Sequence, residues 1–354
     1  MTAAQILATT GTTKTWKMQR LFALGLTRTE VATMMNVGYG FAQNVYAAWV
    51  ATNGATPTPR PTRARRQTRT ERFLARVAAG NYTIVNPVTT PALAPAPVAF
   101  TPGAFTRTFG VEIEGYGVTR PALLAELRAQ GLEVQDAGYT HATTPHWKIV
   151  SDGSISGTNG FELVSPVLRG LEGLADLERA CRALRICGAQ VNGSCGLHVH
   201  FGARDMRIEH LRQVVRNYMV LEPTIDQLMP SARRASNNTY CQSLFCGRTQ
   251  AVAEQQILAA TTADQLTQAA NAGTRYRKVN LHSYGRHGTV EFRQHSGSTD
   301  YEKISMWVKL LHNLIDYSAT NLATPALPVE QFTTFNQRDI TTYYQRRRTA
   351  LLNR

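Results

Sequence analysis

The sequence predicts an α+β protein in which a largely antiparallel sheet carries helices on one face, preceded by a small helical module. Three observations carry that prediction. From about residue 106 onward, short runs with period-two alternation, such as "RTFGVEIEGYG" and "GTVEFRQH", are interleaved with amphipathic helical runs. Two pairs of strand-like runs follow one another closely enough to be hairpins, which favours antiparallel pairing. The first fifty residues show helical spacing, and Pro-rich stretches separate them from the rest.

In chain order, residues 1–53 form the helical module. "TWKMQRLFALGL" places Met18, Leu21 and Phe22 at helical spacing, with Gly25 as the stop. Thr27 precedes Glu30 by three, the spacing of a capping box, and opens a second helix. "NVGYG" breaks it, and "FAQNVYAAW" continues as a third. Helix, turn and helix at this size resembles a helix-turn-helix unit, and equally a small three-helix packing module. Residues 54–105 read as a linker. "GATPTPRPTRARRQTRT" is extended and basic, a short helix is expected over 71–81, and "VNPVTTPALAPAPVAFTPG" is a second spacer.

The main domain is expected to span 106–322. It opens with the strand "RTFGVEIEGYG" and a helix over "TRPALLAELRAQG" that ends at Gly131. A hairpin over "HWKIVSDGSISGTNGFELVSPVL" follows, then a helix with Leu171, Leu174, Leu177, Cys181 and Leu184 on one face. "NGSCGLHVHF" is the next strand and "RIEHLRQVVRNYMVLEPTIDQLM" a long helix. "RYRKVNLHSYGRHGTVEFRQHSG" reads as a second hairpin and "YEKISMWVKLLHNLIDYSATNL" as the last clear helix. Residues 323–354 form a C-terminal extension.

Composition narrows the function classes. With 43% hydrophobic residues, a 354-residue chain can bury a substantial core. No run approaches the roughly 18 apolar residues of a membrane span. The N-terminus lacks a charged segment followed by an apolar one, so no secretory leader is expected. Five cysteines without a CxxC pair read as reduced thiols of a cytoplasmic protein. The formal net charge is +14, and residues 1–80 hold eleven Lys and Arg against only Glu30 and Glu71. That surplus points to an acidic partner, such as DNA, for residues 1–80; a solvated tether would carry the same charges.

Four strands place polar residues where a half-buried strand buries apolar ones. They carry Glu112 and Glu114, Glu162, His198 and His200, and Glu291 and Arg293. Within each dyad the spacing is two, so both side chains project from one sheet face. A wet face would explain any single strand. Wet faces are rich in Thr, Lys, Gln and Ser, however, whereas these strands offer four Glu, two His and one Arg. Four adjoining carboxylates would repel one another unless cations neutralised them. Carboxylate oxygens without thiolates suit a hard ion, Mg²⁺ or Mn²⁺, and an adjacent arginine suits a phosphate. This is equipment for holding ATP through its metals.

In order and spacing, "FGVEIEG", "VSDGS…GFELVSPVL", "NGSCGLHVHF" and "RYRKVNLHSYGRHGTVEFRQHSGSTDYEKISMW" resemble the amidoligase family. That family is grouped with the carboxylate–amine ligases, including glutamine synthetase and glutamate–cysteine ligase. The resemblance covers roughly residues 106–318. It implies a glutamine-synthetase-like catalytic domain that uses ATP and Mg²⁺ (or Mn²⁺) to join a carboxylate to an amine, an amino acid or peptide, through an acyl phosphate. It further implies that Glu112, Glu114, Glu162, Glu291 and Arg293 are catalytic, with Glu112, Glu114, Glu162, His198 and Glu291 as metal ligands. His200, Arg293, Arg233 and Arg234 would approach the nucleotide, and Asp152, Ser154 and Asn280 the substrate. Glu162 is left without an identified partner. Two other readings stand beside this one. One is a DNA-binding protein with a degenerate ligase-like domain; the other is a zinc-dependent hydrolase using His198 and His200 with Cys195.

Overall fold

The structure, a computed structural model, describes residues 2–53 and 100–353. The chain divides into two compact units, Met1–Pro91 and Ala92–Arg354. Most of the expected linker, and the helix expected over 71–81, lie outside the described residues.

Among the described residues of the first unit the helices are α1 (Ala3–Ala8), α2 (Lys14–Ala23), α3 (Arg28–Met34) and α4 (Tyr39–Asn53). α1 was not anticipated; six residues offer too little periodicity to recognise, although Thr2 and Gln5 cap it reciprocally. α3 begins at the expected capping box, with the Glu30 amide donating to Thr27 Oγ1 at 3.3 Å. Ile6, Met18, Leu21, Phe22, Val31 and Tyr46 close a small apolar core. The basic stretch at 60–76 lies outside the described residues, and the expectation of a DNA partner gains no support from the four helices.

The second unit is built on an eight-stranded sheet. Its strands are β1 (Thr108–Gly115), β2 (Val134–Gly138), β3 (Trp147–Val150), β4 (Phe161–Val164), β5 (Leu168–Arg169), β6 (Gly196–Gly202), β7 (Val279–Asn280) and β8 (Thr289–Ser296). The helices are α5 (Arg120–Ala129), α6 (Gly170–Ile186), α7 (Ile208–Gln227), α8 (Gln250–Ala259), α9 (Ala263–Asn271), α10 (His282–His287), α11 (Tyr301–Tyr317) and α12 (Arg338–Leu352). The strand order is β2-β3-β4-β1-β6-β8-β7, with β5 also paired to β1. Every pairing is antiparallel except β2 with β3.

One face of the sheet is apolar. Phe109, Val111 and Ile113 of β1, Leu197, Val199 and Phe201 of β6, and Val290 and Phe292 of β8 join the helices in a continuous core. α6 contributes Leu174, Leu177, Cys181 and Leu184 to it, as the spacing predicts. Leu171, read onto the same face, is 77% exposed, because the first turn meets the sheet through Gly173, which lies against Leu168 and Phe109. The second expected hairpin is interrupted by α10, which occupies the stretch between β7 and β8. The last thirty residues also enter this core through Val329, Phe332, Phe335, Ile340 and Tyr344. Among the described residues, no helix is long and apolar enough to cross a membrane.

Candidate active site

β4, β1, β6 and β8 adjoin at the centre of the sheet, and they are the four strands that carry the polar dyads. Register decides which side chains meet. Glu114 lies opposite Glu162, Glu112 opposite His198, and His200 opposite Glu291, which also faces Asn280 on β7. Cross-strand partners share a face, so all of these project away from the apolar core. This is no wet face: Glu114 is 4%, His198 5%, Glu291 4% and Arg293 8% exposed.

The side chains form one network. His198 Nδ1 lies 2.9 Å from Glu112 Oε2 and 3.8 Å from Glu291 Oε1, while its Nε2 lies 3.6 Å from Glu114 Oε1. His200 Nε2 lies 3.2 Å from Glu112 Oε1 and 3.9 Å from Glu291 Oε1. The backbone N–H of Gly196 donates to Glu114 Oε2 at 2.6 Å, and Asn280 Nδ2 donates to Glu291 Oε2 at 2.6 Å. Arg293 pairs directly with Glu291.

Charge is balanced unevenly across this network. Burial pushes the Glu112 carboxyl up, but His200 and His198 together outweigh it and hold the group well below the usual carboxylate range. Burial likewise pushes Glu291 up, and Arg293 with His200 brings it below its ordinary value. Burial would depress His200, yet Glu291 and Glu112 hold it raised. Glu162 has no cation bonded to it, and the nearby Lys148 does not offset its burial. Burial, reinforced by Glu112 and Glu114, pushes its carboxyl well above the ordinary range. This end of the site has an excess of negative charge that a bound cation would relieve.

Three sets of side chains bring ligand atoms within 4.8 Å of one another: Glu112, His200 and Glu291; Glu112, Glu162 and His198; and Glu114, Asp152 and Glu162. All donors are carboxylate oxygens and imidazole nitrogens, which fits Mg²⁺ or Mn²⁺. Cys195 is in none of these sets, so the pairing with His198 and His200 that a zinc hydrolase would require is not formed. The third set supplies the partner that Glu162 lacked in the sequence: Asp152, which the resemblance placed near the substrate.

Two cavities meet over the cluster, sharing Glu112, Glu162, His141, His200 and His287. The larger, about 660 Å³, extends past Lys148, Ser165 and Arg204. The smaller, about 440 Å³, is walled by Asp152, Arg275, Asn280, Arg286 and Arg293. A family model described as "Putative amidoligase enzyme" matches residues 106–315. The chain belongs to this amidoligase family. A search of curated proteins found no match.

Other amidoligase positions expected at the site fall elsewhere. Arg233 is 3% exposed and lines neither cavity; its guanidinium donates to the carbonyls of Cys195 (2.6 Å) and Ser194 (3.4 Å), bracing the turn before β6. Arg234 donates to Met229 O at 2.7 Å. Ser154 donates its backbone N–H to Asp152 Oδ1 at 2.7 Å, a turn contact that orients the aspartate. Residues that sequence reasoning missed include Lys148, His141, Arg286 and His287. They come from single positions on a strand, a loop and a short helix, and no local pattern marks them.

Proposed function

We propose that this amidoligase is an ATP-dependent carboxylate–amine ligase that forms an amide through an acyl phosphate. The observation that carries the reading is the convergence of seven titratable side chains, six from four adjoining strands and Asp152 from a loop, into three overlapping ligand sets, flanked by a buried arginine. Glu112, Glu114, Glu162, His198 and Glu291, joined by Asp152, would hold divalent ions; when bound, these neutralise phosphate charge and draw it from the leaving oxygen.

The chain's own groups do the rest. Arg293 sits beside Glu291 at the edge of the smaller cavity, where its guanidinium would pair with the phosphoryl group in transfer. His200 borders both cavities and would contact the nucleotide, whose adenosine the larger cavity has the volume to admit. Asn280 fixes the orientation of Glu291 through its 2.6 Å bond. The acid and the amine then enter from the smaller cavity, beside Asp152 and Arg293. A substrate carboxylate oxygen attacks the γ-phosphorus and ADP leaves; the neutral amine nitrogen then attacks the acyl carbon, phosphate leaves, and the proton lost by the nitrogen passes to the departing phosphate. Such transfer is mainly positioning and charge neutralisation, which a rigid sheet supplies.

The test is to offer ATP with pools of carboxylates and amines, and to look for ADP, phosphate and a product lighter than its parts by one water. Glu112→Gln and Glu291→Gln are expected to fold as wild type while losing ATP turnover by a factor on the order of a hundred or more. Full ATP consumption in these variants would overturn the assignment. Release of AMP and pyrophosphate would replace the acyl phosphate with an adenylate.

A further inference from the structure

Lys148 belongs to none of the sequence motifs, yet it lies in the same row as the site. Across the sheet Lys148 pairs with Val164, Val164 with Glu112, and Glu112 with His198, so all four share the polar face. Its side chain is 3% exposed and forms part of the wall of the larger cavity. Among the described residues its ammonium forms no ion pair; it donates to the carbonyl oxygens of Thr140, at 3.4 Å, and of Ala142. Burial disfavours its charge while Glu112 and Glu162, close by but not bonded to it, favour it. With those carboxylates engaged by divalent ions, its direct partners are carbonyls alone, and an anion in the cavity would offset its burial.

The two carbonyls belong to the segment joining β2 to β3. Those strands are parallel, so the segment must run back along the strands before β3 can begin. Thr140, His141, Ala142 and Thr143 of that return path line the larger cavity, and His141 also lines the smaller. Lys148 therefore both lines the cavity and tethers a second segment of its wall.

We propose that Lys148 is the anion-binding residue of the larger cavity, that its ligand is the polyphosphate of the nucleotide, and that binding reseats residues 139–146 over it. The identity of the anion rests on the ligase reading; the presence of a cation site does not. On arrival of the anion the ammonium exchanges two carbonyl contacts for charge-assisted ones, which are shorter and stronger. No covalent step is involved.

The experiment measures binding of tripolyphosphate, ADP with Mg²⁺, and glutarate to wild type and to Lys148→Met, which keeps the length of the side chain and removes the charge. Thermal unfolding of both proteins without ligand establishes that the variant is folded. Expected are weaker binding of tripolyphosphate and ADP by Lys148→Met, on the order of tenfold or more, and loss of ligand-induced protection of residues 139–146 from proteolysis. Equal affinities in the two proteins overturn the proposal, as does wild type that binds neither phosphate probe, or a dependence on Lys148 confined to glutarate. Tripolyphosphate binding that requires Lys148 in a protein without ATP turnover would keep this assignment and remove the ligase reading. Normal ATP turnover by Lys148→Met would do the reverse.

Discussion

At Glu162 the site has a carboxylate whose surroundings oppose its charge. Burial and its neighbours Glu112 and Glu114 raise its proton affinity well above that of an unfolded chain. A group with a raised folded pKa contributes stability that is full below its unfolded pKa, near 4.3, and is lost as pH rises through the folded value. Each tenfold change in proton affinity is worth about 1.4 kcal/mol. Metal-free wild type should therefore lose stability with rising pH to an extent that Glu162→Gln does not, and the variant should be the more stable at alkaline pH. Urea midpoints measured against pH in chelator test this; parallel curves for the two proteins would refute it. The sequence identified Glu162 but not Asp152 as its neighbour, because the two are ten residues apart on a loop and a strand, and their meeting depends on how that loop folds back.

At the level of elements, the turn before β6 holds the site together. Arg233 and the Gly297 backbone N–H both donate to Cys195 O, at 2.6 and 2.8 Å, binding the start of β6 to the end of β8. A methyl group at 297 would lie 2.6 Å from Cys195 Cβ and 3.2 Å from its backbone carbonyl, with no flexible side chain to yield. Gly297→Ala should then cost about 1–3 kcal/mol, as overpacking does, and shift the turn that leads to His198. A lowered urea midpoint with reduced ATP turnover is expected, and wild-type values in both would dismiss this role. Local reading of elements served well where one signal acted within a few residues, as at Thr27 and Glu30. It missed β2, whose five residues show burial only at Val134, because an edge strand has little apolar pattern to betray it.

Over the whole molecule, the two apolar cores share no residue. The second extends to the C-terminal helix: Phe332, Phe335, Ile340 and Tyr344 are each no more than 2% exposed and belong to the cluster that backs the sheet. Removing such side chains leaves cavities costing roughly 2–5 kcal/mol each, comparable with the stability of a whole domain. A chain ending at Leu322 is expected to lose cooperative unfolding, whereas Ala92–Arg354 should unfold in a single transition without the first unit. Circular dichroism melts of the two fragments decide this, and a sharp transition in the shorter one would show that the C-terminal residues are dispensable.

Local spacing was enough for the α+β class, the capping of α3, the buried face of α2, that of α6 apart from Leu171, and which strands carry polar dyads. Each of these is written in contacts between residues a few positions apart, where period and propensity act directly. Tertiary structure alone decided that the four dyad strands adjoin, that Asp152 meets Glu162, that Arg233 braces a turn instead of reaching a cavity, and that Lys148 shares the row of Glu112. Those outcomes depend on strand order and register. A one-residue slip in the register of any one of these strands would turn its site residues to the opposite face, and no local pattern encodes that choice.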